Sequence, residues 1–126
     1  MCSGELLIHM RIRYAEGNYA EAYSAANLVI IRGNITSYGN ALALAYKAEA
    51  YLALNLNESL WLFIFKWYEQ AFQFAQLTIG PECRIRVLRS HARSLIKMRR
   101  PGALAAMREA DKLVRENNLN ELEYWF

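Results

Sequence analysis

The segment "AEGNYAEAYSAANLVI", residues 15–30, decides the fold because it sets a glycine between two stretches of helix-forming residues. After Gly17 the apolar residues recur at steps of three and four, as in Ala22, Ala26 and Val29. Glycine ends helices readily, since it adopts the left-handed backbone conformation without steric strain. The segment therefore predicts a helical hairpin, with Gly17 in the left-handed conformation at its turn.

The rest of the chain repeats this organisation, so the predicted fold class is all-α. Both prolines, Pro81 and Pro101, stand at apparent helix boundaries, and strand-like alternation is confined to residues 84–89. The predicted helices span about residues 5–15, 18–32, 37–54, 57–79, 82–99 and 102–117. Because the linkers are short, each helix is expected to return antiparallel to the one before it.

We expect one domain over residues 1–126, made of three hairpins and a tail. The hairpins cover about residues 5–32, 37–79 and 82–117, and the tail of residues 118–126 ends on the apolar stretch "LEYWF". Hydrophobic residues make up 55% of the chain and charged residues 21%, so a core is easily built. The longest apolar run, "LWLFIF", is far shorter than the ~20 residues that span a bilayer. The chain opens without a signal-like apolar run, and Cys2 and Cys83 show no metal or disulfide spacing, so we expect an intracellular protein, cytoplasmic or nuclear, without membrane contact.

The turn segment "EGNYAEA", residues 16–22, resembles the inner turn of a tetratricopeptide (TPR) unit. Such a unit has a glycine that ends its first helix, an aromatic residue two positions later and an alanine in its second helix. Gly17, Tyr19 and Ala22 stand at those places. The resemblance implies antiparallel hairpins stacked as a short right-handed superhelix. A plain helical bundle is the alternative, because alanine-rich bundles share part of this pattern.

Other segments carry the same resemblance less closely. "WYEQAFQFAQLTIGPE" (67–82) and "RRPGALAAMREADKLV" (99–114) are similar to second helices, and "ALAYKAEAYLALN" (43–55) is similar to a first helix. Ala22, Ala71 and Ala103 are separated by 49 and 32 residues, against a TPR period of about 34. The longer spacing predicts an elongated fourth helix, or an insertion around "NESLWLFIFK".

A basic stripe on the fifth helix is the first candidate site. Residues 84–108 carry a net charge of +8, while residues 1–83 carry −2 and residues 109–126 carry −3. Steps of three and four place five basic residues on one helical face: Arg86, Arg89, Arg93, Lys97 and Arg100. The stripe is either an anion-binding surface or a solvated face paired with Glu69, Glu82, Glu109 or Glu116.

Two classes of ligand fit such a stripe. TPR proteins of the carboxylate-clamp type hold an acidic peptide or the C-terminal carboxylate of another chain. Arg89 and Arg93 match the basic pair that these proteins carry on the first helix of their third repeat. Leu7 and Tyr46 depart from that pattern, because a lysine and an asparagine are expected there. Nucleic acid is the other class, favoured by the arginine-rich composition but supported by no recognition motif.

The second candidate site is the apolar stretch "LWLFIFKWYEQAFQF", residues 60–74. Its apolar positions surround the helix, so it is buried on all sides by its own chain or by a partner. Trp61, Phe65 and Tyr68 lie along one line of the helix, and aromatic residues often anchor interfaces. We interpret these three residues as the apolar face of a homo-oligomer or a partner interface.

The sequence shows no arrangement typical of catalysis, and no cofactor or metal site is predicted. His91 and Ser90 are adjacent, which on a helix points their side chains in different directions, and His9 is isolated. Phosphate-binding loops and metal-ligand clusters are absent from the sequence. The leading interpretation is a non-catalytic scaffold that binds a peptide or partner subunit, acidic ones included, as part of a larger regulator or complex. A basic helical nucleic-acid-binding protein is the alternative.

Overall fold

A computed structural model of the chain describes residues 2–33, 35–55 and 57–120, and within these ranges the protein is all-α with six helices and no strand. The helices are α1 (Ser3–Ala15), α2 (Tyr19–Arg32), α3 (Ser37–Leu54), α4 (Trp61–Ala75), α5 (Glu82–Lys97) and α6 (Ala103–Glu116). The prediction of an all-α fold with six antiparallel helices is confirmed. The apolar end of the predicted tail, residues 122–126, lies outside the described residues.

The fourth helix is shorter than the sequence indicated. A single 3-10 turn, Glu58–Leu60, precedes α4, and α4 ends at Ala75 rather than near residue 79. The side chain of Asn57 starts the turn by accepting a hydrogen bond from the Ser59 backbone N–H at 3.1 Å. The extra length in the second hairpin therefore comes from this turn and from the 18 residues of α3, while α4 has 15.

The turn between α1 and α2 has the predicted geometry. Gly17 has a φ of +79°, so its left-handed conformation is confirmed. Asn18 then caps α2, because its side-chain oxygen accepts from the Glu21 N–H at 3.4 Å. Ala22 is fully buried, and the Tyr19 ring meets the Tyr14 ring edge-on at 5.7 Å between centroids.

The helices pack as antiparallel pairs around α3. The pairs are α1 with α2, α3 with α4 and α5 with α6, and α3 also contacts α1, α2 and α5. Small residues on α3, among them Ala41, Ala45 and Ala48, are buried and allow neighbouring backbones to approach closely. The core consequently runs through the stack from α1 to α6, as three adjoining clusters that share α3 and α5.

None of the helices in the described part of the chain is both long and apolar enough to cross a bilayer.

We predict that Gly17→Ala lowers the free energy of unfolding by about 1–2 kcal/mol, the cost of placing a Cβ in the left-handed region. A Cβ at Gly17 would meet no atom within 4 Å, so backbone strain alone is tested. Gly4→Ala is the matched control, because Gly4 lies in α1 with open space around it and alanine favours a helix. Urea denaturation of both variants measures the difference, and equal stability of the two would contradict the prediction.

Candidate functional site

A groove runs across the first helices of the three hairpins, α1, α3 and α5. Its volume is about 550 Å³. The residues that line it are Ile8, Arg11, Ile12, Tyr14, Ala15, Tyr46 and Arg93. Ile8 and Ile12 are 60% and 51% exposed, although burying an isoleucine fully is worth about 1.5–3 kcal/mol. The groove is therefore a mostly apolar surface with two arginines on its walls.

A buried carboxylate holds two of the residues that line this groove, Tyr14 and Arg93. Glu49 of α3 is only 3% exposed. It accepts hydrogen bonds from the Tyr14 hydroxyl at 2.7 Å, from the Ser90 hydroxyl at 2.9 Å, and from Nε and Nη2 of Arg93 at 2.7 and 3.0 Å. A buried charge is tolerated only when it is paired and hydrogen-bonded, and Glu49 meets both conditions. The carboxylate thereby joins α3 to α1 and α5.

The hydroxyl of Tyr68 extends the polar network towards α4. It lies 2.8 Å from the Ser90 hydroxyl and 2.6 Å from the Ser94 hydroxyl, and it also approaches the Ser90 carbonyl oxygen at 3.1 Å. Burial, and then the nearby charge of Glu49, raise the pKa of Tyr68 well above its ordinary value. The same two causes raise the pKa of Tyr14. Both phenols are therefore held protonated and serve as hydrogen-bond donors or acceptors within the core.

The ion pair between Arg93 and Glu49 also fixes the arginine. Burial alone disfavours the charged guanidinium, but the hydrogen bonds and the charge of Glu49 outweigh it and raise the pKa of Arg93. Arg93 is consequently charged at every accessible pH, and its charge is paired with that of Glu49.

The predicted basic stripe does not form one continuous solvent-exposed surface. Arg89 is 1% exposed, and its Nη2 lies 2.9 Å from Asp111 Oδ1 on α6. Arg86 Nε donates to the Tyr38 hydroxyl at 2.9 Å, and Arg93 is held by the buried carboxylate. These three arginines therefore have partners within the chain, as in the alternative of a face that pairs with neighbouring helices. Their partners are not those expected, because Glu109 pairs with Arg84 instead, at 2.6 Å.

Lys97 and Arg100 remain exposed and rest on aromatic rings. The Lys97 Nζ lies 5.9 Å from the Tyr19 ring centroid, and the Arg100 Cζ lies 5.3 Å from that of Trp61. These separations are within the range of cation–π attraction. The C-terminal end of the stripe, Lys97 and Arg100, is thus at the surface, while Arg86, Arg89 and Arg93 have partners within the chain.

The predicted apolar face of α4 is mostly core. Trp61 and Tyr68 are 7% and 1% exposed and pack against α3 and α5, so both belong to the core, and of the three predicted residues only Phe65 is exposed. Residues 61, 64, 68, 71 and 75, at steps of three and four, form the buried stripe. The outward side of the helix includes Lys66 and Glu69, which are exposed. The pattern is not evident in the sequence, because apolar and aromatic residues occur on all sides of this helix.

Sequence reasoning missed Glu49 and Tyr14. The one available signal is "AYKAEAYLA", residues 45–53, where a lone glutamate stands among alanines on a helix expected to be buried. A carboxylate in that position requires a partner, but the sequence does not show which arginine supplies it.

A second cleft of about 490 Å³ lies between α4, α5 and α6. The His91 ring lines it and packs against Tyr68 and Phe72 at centroid distances of 4.8 and 5.5 Å. Burial lowers the pKa of His91 below its ordinary value of 6.5. The folded protein therefore prefers the neutral imidazole.

The comparisons with protein-family models, with curated proteins and with solved structures gave no match to this chain. The fold defines its class only as an all-α protein of six helices packed as antiparallel pairs. Among residues 2–33, 35–55 and 57–120, no group of three or more histidine, cysteine or acidic side chains is placed to hold a metal ion.

We predict that Arg93→Leu lowers the free energy of unfolding by about 3–5 kcal/mol, because it leaves the Glu49 carboxylate buried without its cation. The double variant Glu49→Leu with Arg93→Leu should recover part of that loss. Arg108→Leu, at an exposed position on α6, is the control and should change stability by less than about 0.5 kcal/mol. Chemical denaturation reports all three values, and a double variant no more stable than Arg93→Leu would argue against the pairing.

We also predict that stability falls as the pH is lowered from about 7 towards 5.5, through the ordinary histidine pKa. The pKa of His91 is lowered in the folded state, so the unfolded chain takes up this proton first and gains stability relative to the folded protein. His91→Leu should flatten the profile in this window. Thermal unfolding at several pH values measures the slope, and NMR titration of the His91 ring measures its pKa directly. A His91 pKa at or above 6.5 would be the contrary result.

Proposed function

We propose that the chain is a non-catalytic interaction module that holds a segment of another polypeptide in the groove across α1, α3 and α5. The observation that carries this proposal is the groove itself, with Ile8 and Ile12 exposed on its wall. A partner side chain that covers either isoleucine removes apolar surface from water and so stabilises the complex. The site is concave and mostly apolar with few polar groups, which is typical of recognition sites.

We further propose that the hairpins are stacked in the TPR manner. In support, α3 contacts both α1 and α5, so the first helices of successive hairpins are neighbours, and α2 and α4 both pack on α3. The turn at Gly17, Tyr19 and Ala22 agrees with the same unit. Stacked hairpins of this kind present their first helices together as one binding surface.

The charge of the groove favours a partner segment that carries a carboxylate. Arg93 is neutralised by Glu49, whereas Arg11 on the rim is exposed and makes no hydrogen bond or ion pair with the described residues. The net positive charge beside the apolar wall is therefore that of Arg11. We expect ligands with large apolar side chains next to an acidic residue. Nucleic-acid binding has weaker support, because Arg86, Arg89 and Arg93 have partners within the chain.

Selection of peptides on the full chain tests this function. A phage-displayed library of 12-residue peptides should yield sequences that combine leucine- or phenylalanine-like residues with an acid, and the selected peptides should bind in solution. Ile12→Glu should weaken their binding at least tenfold. Ile31→Glu is the matched control, because Ile31 is also an exposed isoleucine but lies on α2 and does not line the groove.

The arginine on the rim is tested in the same assay. Arg11→Ala should weaken the binding of acidic peptides more than the binding of their amidated counterparts. Arg108→Ala on α6 should change the binding of neither. Peptides whose binding survives Ile12→Glu would refute the groove as the site. Salt-dependent binding of a DNA or RNA oligonucleotide, with no peptide selected, would favour the nucleic-acid alternative. Light scattering shows whether a second copy of the chain is the natural occupant.

A further inference from the structure

A cluster of aromatic rings lies on another side of α3, between α2 and α4. Tyr23 of α2, Tyr51 of α3 and Trp67 of α4 meet there, with ring centroids 5.7 Å (Tyr23–Tyr51), 5.1 Å (Tyr51–Trp67) and 6.4 Å (Tyr23–Trp67) apart. The Tyr51 and Trp67 rings are almost perpendicular, at 89°. Tyr51 follows the groove residue Tyr46 by five positions, which places it about 140° further around the helix at ~100° per residue. The cluster is thus separate from the groove.

The cluster already contains a cation, the ammonium group of Lys47. Its Nζ lies 4.3 Å from the Trp67 ring centroid and 5.8 Å from that of Tyr23. No carboxylate or hydrogen-bond acceptor among the described residues pairs with it. Burial lowers the pKa of Lys47. The ammonium is therefore held by the faces of the rings and not by an anion.

A primary ammonium is poorly matched to such surroundings. It carries three N–H donors and is strongly hydrated, and aromatic rings replace few of its hydrogen bonds to water. A trimethylammonium group has no N–H donor, and its methyl groups contact ring faces directly, which is how aromatic cages recognise quaternary ammonium ligands. Exchange of the two groups returns the lysine to water and places the less hydrated cation over the ring faces of Trp67 and Tyr23, where the ammonium now lies.

We propose that the ring faces of Tyr23 and Trp67, which Tyr51 contacts and holds in place, form a binding site for a trimethylammonium group, and that Lys47 occupies this site when no ligand is bound. All four side chains are partly exposed, so the site opens to solvent. The flexible stem of Lys47 lets its ammonium leave without moving α3. Phe63 stacks on Trp67 with centroids 6.2 Å apart and is half exposed, so it extends the apolar wall for the remainder of the ligand.

NMR titration of the full chain with tetramethylammonium chloride tests the site. The indole N–H resonance of Trp67, assigned by its loss in Trp67→Leu, should shift with saturation, and ammonium chloride at the same ionic strength should not shift it. Lys47→Ala should lower the Kd for tetramethylammonium about tenfold. This factor is expected if Lys47 occupies the site about nine-tenths of the time, because only the open fraction of the protein can bind the ligand. Lys66→Ala is the matched control, because it removes the same charge from an exposed position on α4 beside Trp67.

Further titrations distinguish the sources of the group. Choline represents a small molecule or a lipid headgroup, and Nε-trimethyllysine amide represents a modified protein. Saturable binding of either probe at Trp67 supports the site, provided that unmodified lysine amide does not bind. Three results would overturn it: no shift at Trp67, an equal shift with ammonium, or an affinity in Lys47→Ala no tighter than in Lys66→Ala. Each variant should keep the wild-type circular dichroism spectrum. Neither Lys47 nor Lys66 is a core residue, so the comparison of their alanine variants remains valid even if Trp67→Leu disturbs the fold.

Discussion

The architecture depends on one buried carboxylate, that of Glu49. Donors from α1 and α5 converge on it, so a single side chain of the central helix is bonded to both neighbouring first helices. The core around it is rich in alanine, whose small and uniform surface leaves many helix positions nearly equivalent. A polar network with defined distances is fully paired in few arrangements, so we expect it to select one register of the helices. Replacing the network with apolar residues would retain burial but lose that selection.

The carboxylate also explains why the basic residues of α5 have unequal roles. Arg93 and Arg89 lie four residues apart on one helix, yet each is drawn to an acid on a different neighbour, on α3 and α6 respectively. Arginine suits such pairing, because its planar guanidinium offers several donors in fixed directions. The chain thus uses part of its positive charge to attach its helices to one another. Arg11 lies outside this system, and its side chain is exposed.

The parts of the structure that follow from local sequence were predictable. The six helices, the all-α class and the left-handed Gly17 depend on residues within one or two turns of each other. The partners of Arg89 and Arg93 lie 22 and 44 positions away, and they depend on helix packing that periodicity does not specify. Because the apolar residues of α4 surround the helix, the sequence alone does not show that Trp61 and Tyr68 face the core of the same chain. The aromatic cluster at Lys47 was not recognisable either, since its members come from three helices.

The position of α3 has a consequence for how the protein opens. Its residues belong both to the cluster shared with α1 and α2 and to the one shared with α4 and α5. No neighbour of α3 can detach without exposing part of it to water, whereas α6 packs mainly on α5. Local opening should therefore require least free energy at α6, and for α3 it should approach that of global unfolding. We therefore expect the six helices to unfold as one cooperative unit in which α6 is the most loosely attached element.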